Sequence, residues 1–261
     1  MIRVLLLVAV AATNVGAAQA ASVRFTACPV YRDTDSGRKS GCWLAEDPAT
    51  GTRYDITAAP TKPDWNFAVL VEGAPAAVQS DPCGGVILDP ARVSVLSDTP
   101  CTRFMLPAEG YTGRTFALPA RNVRPLYEAR QAPAKPFAEK RFTVPFDFGS
   151  SFVAYQLADY YVDAAINYAL DTRPARVVIA GHAQTGPATV SGVRLAEPGA
   201  LAAERADVIR RAFVMRGVDP KRISFAETPV AAPYDPAPFD GLTTAQDRRV
   251  DIAIIPETGP Q

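Results

Sequence analysis

Hydrophobic and polar residues alternate from Arg141 to Phe148. Phe142, Val144, Phe146 and Phe148 fall on one side, with Arg141, Thr143, Pro145 and Asp147 on the other. A period of two predicts a half-buried strand, and Pro145 predicts an edge position or a bulge. Ser150-Ser151 then offers a helix cap. Leu157, Tyr160, Tyr161, Ala164, Ala165 and Tyr168 recur at helical spacing until Pro174. Val177 to Ala180 is a continuous apolar run, as expected of a central strand covered on both faces. Leu201, Val208, Ile209, Ala212 and Phe213 form the stripe of a second helix, which Gly217 stops. Ile223-Ser224-Phe225 and Arg249 to Ile254 read as two more strands, the last with charges on alternate positions, so that one face meets solvent. The order βαβαββ predicts a two-layer α/β sandwich over 141–256, followed by a tail at 257–261.

The first half has a different pattern. Ser22 to Thr26, Phe67 to Val71, Val93 to Leu96 and Thr115 to Leu118 are short apolar runs between Gly, Pro, Asp and Ser clusters. No helical period emerges. The stretches GCWLAEDPATGTRYDI, NFAVLVEG and CGGVILDPARVSVL suggest a hairpin turning at Thr50-Gly51 and then two strands. The expectation for 21–120 is a small all-β barrel of the OB type. Residues 121–140 mix charge, proline and alanine and read as a linker. The fold class is therefore α+β.

Composition adds a compartment. Arg3, the apolar run Val4 to Ala12 and the small-x-small triplet Ala18-Gln19-Ala20 lay out a secretory signal peptide over 1–20. The run is too short to span a bilayer. The expectation is an exported, periplasmic protein with no transmembrane segment in its mature chain, associated with the outer membrane or cell wall. Basic and acidic residues number 27 each, which argues against nucleic acid as a partner. The 24 prolines sit at segment boundaries.

Cys28, Cys42, Cys83 and Cys101 are the four cysteines. An even count in an exported chain points to two disulfides, and the spacings are too wide for paired metal ligands. Three pairings are open. If the barrel reading holds, Cys42 and Cys83 clip neighbouring strands and Cys28 is left with Cys101.

The stretch VVIAGHAQTG holds the single histidine, His182. A serine nucleophile on such a strand–turn requires G-x-S-x-G. Here the serine position is Ala183 and the closing glycine position is Thr185. Ser150, Ser151 and Ser191 qualify only as serines. One histidine without clustered thiols makes zinc a poor fit, and Asp147, Asp159, Asp163 and Glu204 single out no carboxylate pair. The chain reads as a non-enzyme, with no catalytic residues, no metal and no cofactor.

RFTVPFDFGSSFV, VVIAGHAQTG, LAAERADVIRRAFVMRGVDPKRISF and DRRVDIAII, in that order, resemble the OmpA-like peptidoglycan-binding domain. The family's Gly-His-Thr-Asp loop is here Gly181-His182-Ala183-Gln184 with a later Gly186. Its Leu-Ser-x-x-Arg-Ala is Leu201 to Ala206, and its Asn-Arg-Arg-Val is Asp247 to Val250. The resemblance implies a non-covalent site for the diaminopimelate of a peptidoglycan stem peptide. A loop aspartate would accept from the ammonium group, and a helix arginine would grip a carboxylate.

Carried over, the arginine is Arg205, and the aspartate position holds Gln184. His182, Ala183, Thr185 and Arg248 complete the expected ligand set. An amide in place of a carboxylate implies roughly ten-fold weaker binding. His182 either lines the pocket or orients the loop through backbone hydrogen bonds, the more frequent role. Arg205 otherwise pairs with Glu204 or Asp207 at the surface. Two departures stand out: the long stretch GPATVSGVRLAEPGA, with Glu197-Pro198 where the family has Tyr-Asn, and the Pro-rich stretch between the last two strands. The partner is accordingly peptidoglycan. The alternative is an envelope protein, bound by an adaptor that kept the fold and lost the ligand.

Overall fold

The computed structural model describes residues 21–35, 41–80, 83–113, 132–155, 157–226 and 237–257. The expected leader at 1–20, the strand at Thr115 to Leu118 and most of the expected linker lie outside these residues.

The first half is built of strands: β1 (Val23–Ala27), β2 (Val30–Arg32), β3 (Cys42–Glu46), β4 (Arg53–Asp55), β5 (Phe67–Pro75), β6 (Val86–Pro100) and β7 (Met105–Leu106). They form one sheet in the order β1-β5-β6-β4-β3-β2-β7. β3 and β4 are the hairpin expected at Thr50-Gly51. Asp47 accepts from the Ala49 amide at 2.9 Å and the Thr50 hydroxyl at 3.1 Å, and Gly51 takes the left-handed φ of +68° that the turn needs. Two disulfides staple the half, Cys28–Cys101 and Cys42–Cys83. The expected closed barrel is not seen. β1 and β7 are the two edge strands, and no sheet closes among the described residues.

The second half runs β8 (Lys140–Pro145), α1 (Asp159–Thr172), β9 (Arg176–Gly181), β10 (Ala188–Val190), β11 (Val193–Leu195), α2 (Ala200–Met215), β12 (Ile223–Phe225) and β13 (Arg249–Ile255). Its main sheet has the order β12-β9-β13-β8, with β9 and β12 parallel and the other pairs antiparallel. This is the expected βαβαββ order with one hairpin, β10-β11, added. The α+β class stands. β8 is an edge strand, which explains how Pro145 is tolerated there. In β13, Val250, Ile252 and Ile254 are buried between half-exposed neighbours, as the alternation requires.

Three sequence expectations need correction. Helix α1 begins at Asp159 with Ala158 at its N-cap, so Ser150-Ser151 caps nothing. Its buried face is Val162, Ala165, Ile166, Ala169 and Thr172; of the expected stripe within the helix Ala165 is buried, and Tyr161 and Tyr168 pack against the core only in part. Tyr161 and Tyr168 lie half-exposed because their hydroxyls reach out to backbone carbonyls, of Ala237 at 3.1 Å and Ala138 at 2.6 Å. In β9, Val177, Ile179 and Ala180 are buried but Val178 stays half-buried, so the expected cover on both faces is incomplete.

The helices pack on the sheet through Val144, Phe146, Ile166, Val177, Ile179, Ile209, Phe213 and Val250, among others. Buried contacts also cross between the halves. Ala68, Leu70 and Leu96 of β5 and β6 pack on Val190 and Leu195 of the added hairpin. The Thr26 hydroxyl donates to Val190 O at 3.2 Å, and the Phe148 amide to the Ser94 hydroxyl at 2.9 Å.

Candidate functional site

Helix α2 buries Leu201, Arg205, Ala206, Ile209 and Phe213 against the sheet. Arg205 thus sits on the core side of its helix, not on the solvent side, and is 0% exposed. Helix and strand approach closely here. A Cβ on Gly181 would lie 1.8 Å from Ala202 O of α2, which is why the end of β9 is glycine.

A guanidinium has five N–H donors in a fixed fork, and all five of Arg205 are used. Nε donates to Ser150 O at 2.9 Å. Nη1 donates to His182 O at 2.9 Å and Glu197 Oε2 at 2.9 Å. Nη2 donates to Asp147 O at 3.0 Å and Glu197 Oε1 at 2.6 Å. The Phe146 ring lies beneath, with its centroid 5.3 Å from the guanidinium carbon. The expected surface partners, Glu204 and Asp207, are not used. Asp207 pairs instead with Arg210 and Arg211.

Glu197 is equally satisfied. Besides the two guanidinium bonds, Oε1 accepts from the Gly149 amide at 2.8 Å and Oε2 from the Gln184 amide at 2.6 Å. The site is a carboxylate seat: one guanidinium fork and two backbone amides around an anion. The anion belongs to the chain itself.

The added hairpin delivers it. Ser191 and Gly192 join β10 to β11 with φ of +47° and +81°, the two positive values of a tight I′-type turn. The insert closes where the Glu197 amide donates to Gln184 O at 2.8 Å. Its tip is held by the first half, since the Thr26 amide donates to the Ser191 hydroxyl at 3.1 Å. The two departures seen in the sequence, the long insert and Glu197-Pro198, are therefore one device.

The other expected ligand residues turn inward too. Gln184 Oε1 accepts from Arg248 Nη1 at 3.1 Å. Arg248 is 1% exposed and forms a buried ion pair with Glu72 of β5, which Arg24 also contacts at 3.1 Å. Burial alone would raise the Glu72 carboxyl, but Arg248, a bond from Thr244 and Arg24 outweigh it and leave its pKa lowered. The His182 amide donates to Arg249 O at 2.9 Å, and Nε2 stands 2.9 Å from Asp251 Oδ2. Burial raises the Asp251 pKa, yet His182, Arg249 and Thr143 hold it down overall. His182 thus orients the loop through its backbone and bonds no serine among the described residues. Ala183 O accepts from the Thr185 amide at 3.0 Å, and the Thr185 side chain faces solvent. Of the expected set, Arg205, His182, Gln184 and Arg248 are brought together, directly or through Glu197, and Glu197 and Glu72 are the partners that the sequence did not reveal. Cys42, Asp55 and Cys83 cluster in space, but both sulfurs belong to the disulfide and leave no thiolate for a metal.

No protein-family model and no curated protein matches this chain. Solved structures similar to it include the OmpA-like domain of FopA1 from Francisella tularensis subsp. tularensis SCHU S4, at 14% identity over 47% of this chain and 77% of that one, with a TM-score of 0.31. The peptidoglycan-associated lipoprotein from Burkholderia pseudomallei matches at 26% identity over 42% and 87%, with a TM-score of 0.29. The cell wall anchor of the T6SS from Pseudomonas aeruginosa matches at 18% identity over 46% and 82%, with a TM-score of 0.32. These scores mark a loose likeness, and the site is read from its own geometry.

Proposed function

We propose that this chain is a non-catalytic, exported protein of the cell envelope in which an OmpA-like second half acts as a protein-interaction adaptor. The first 20 residues would direct export, and residues 21–120 would supply the partner surface. The observation that carries this reading is the saturation of Arg205. All five of its donors and both Glu197 oxygens are committed within the chain. A stem-peptide carboxylate would have to displace a buried, bidentate internal carboxylate, losing as many charge-assisted bonds as it gains.

A second reading has its own observation. The seat is built to hold a carboxylate, so release of Glu197 would leave a site suited to diaminopimelate. In that reading peptidoglycan binding is weak, because it competes with Glu197 and lacks the aspartate at Gln184. One experiment separates the two: co-sedimentation of the purified protein with cell-wall sacculi at low salt, beside a pull-down from envelope extract. The adaptor reading expects no sacculus retention and one reproducible envelope partner. Retention that disappears in Arg205→Ala overturns it in favour of stem-peptide binding.

A further inference from the structure

Next to the Arg205 seat lies a cleft of about 470 Å³, lined from the first half by Pro60, Thr61, Lys62, Val95 and Ser97 and from the second by residues 147–150, Phe152, Ala154 and Tyr155. This is the size of a small-ligand site, with mostly apolar walls and few convergent polar groups. Two aromatic side chains stand unusually free at its edge: Phe152 is 74% exposed and Tyr155 65%. Two large exposed rings lining one cleft point to something they cover.

The polar groups narrow the ligand class. The Asp147 carboxyl is 9% exposed. Its Oδ2 accepts from the Thr61 hydroxyl at 2.5 Å, while Oδ1 takes no hydrogen bond from any described residue. Ser97 and Ser150 add hydroxyl groups to the lining. The Lys62 ammonium is folded back onto the carbonyls of Thr57 and Ala59, each at 2.7 Å. Within the chain, Arg92 and Arg248 partly offset the charge of the Asp147 carboxyl, so a cationic ligand gains little there. The carboxyl in front disfavours an anion. A neutral ring with hydroxyls on its rim and an apolar face fits both halves of the lining: hydroxyls donate to the open carboxyl oxygen, and the apolar face covers an aromatic ring.

We propose that this cleft between the two halves binds a saccharide unit, with Asp147 as the buried hydrogen-bond acceptor and Phe152 and Tyr155 as the covering rings. The two sites share residues 147–150. The Arg205 seat takes the carbonyls of Asp147 and Ser150 and the Gly149 amide, whereas the proposed site uses the side chains of Asp147, Phe152 and Tyr155.

The test is titration of the folded protein, followed by NMR, with free N-acetylglucosamine, galactose and a linear N-acetylglucosamine trimer. Saturable binding in the millimolar range or tighter is expected for at least one. Equal affinity for monomer and trimer assigns the site to a free sugar, and preference for the trimer assigns it to a glycan strand. The double variant Phe152→Ala/Tyr155→Ala, at two exposed positions, should keep the wild-type melting temperature and lose at least ten-fold in affinity. Asp147→Asn should weaken binding as well. No saturable response to any of the three sugars overturns the proposal. So does binding that is unchanged in the aromatic double variant.

Discussion

Residues 147 to 150 have two sides, and the sides differ in how far their polar groups are already paired. Towards helix α2, the carbonyls of Asp147 and Ser150 and the Gly149 amide complete a seat in which every donor of Arg205 and every oxygen of Glu197 is used. Towards the first half, one oxygen of the Asp147 carboxyl accepts from Thr61 and the other takes no hydrogen bond from any described residue, beside an aromatic-edged cleft. The closed side contains the charges that sequence reasoning takes for a ligand hand. The open side contains none of the expected site residues. A charged residue at a familiar position therefore says where a ligand could be gripped, and only the count of its bonds says whether the grip is free.

The largest expected effect breaks the closed side. Glu197→Ala leaves Arg205 as an unpaired buried cation, which should cost about 3 to 5 kcal/mol in chemical denaturation. A loss under 1 kcal/mol would mean that Glu197 is not holding that charge. Gly181→Ala comes next. Its new Cβ would strike the Ala202 carbonyl, 1.8 Å away, so α2 must move off β9. A loss of about 3 kcal/mol is expected, at the upper end for overpacking, and an unchanged melting temperature would contradict the close approach.

Acid sharpens the comparison through direction alone. The Glu72 pKa is lowered from 4.5 in the folded state, so its contribution is complete above that pH and is lost as pH falls below it. The Asp251 carboxyl acts in the same sense from 3.8. Asp147 acts oppositely. Burial raises its pKa above 3.8 despite the Thr61 bond and the nearby arginines, so its contribution is present in acid and lost as pH rises. Glu72→Gln should flatten the acid limb of a stability–pH profile; an unchanged limb would remove Glu72 as its source. The smallest effect is that of Asp147→Asn, expected to raise stability at pH 7 by about 1 kcal/mol or less. A clear loss there would mean that the open side is paired after all.

Much of the second half was legible because its signals are local. The alternation through Phe142, Val144 and Phe146, the apolar run Val177 to Ala180 and the stripe Leu201, Ile209 and Phe213 each report a period that burial enforces. The hairpin carrying Glu197 was not legible. Its strands have three residues each, too short for a period to show, and only Ser191-Gly192 hints at the turn. Glu197 reaches Arg205 from eight positions upstream, across Pro198-Gly199, so no helical spacing links the two. Glu72 was hidden at the end of the apolar run FAVLV, where a lone buried acid signals a partner but not which one. The partner, Arg248, lies 176 positions away. The cleft escaped notice because segments more than 80 residues apart line it, among them Thr61 and Asp147.

The central claim is that Arg205 is already occupied by Glu197. The most direct test follows the Arg205 guanidinium resonance by NMR while a diaminopimelate-containing stem peptide is titrated into the folded wild-type protein. No saturable shift into the millimolar range is predicted, with the guanidinium protons remaining slow to exchange. A saturable shift of that resonance, with Glu197 released, would contradict the claim.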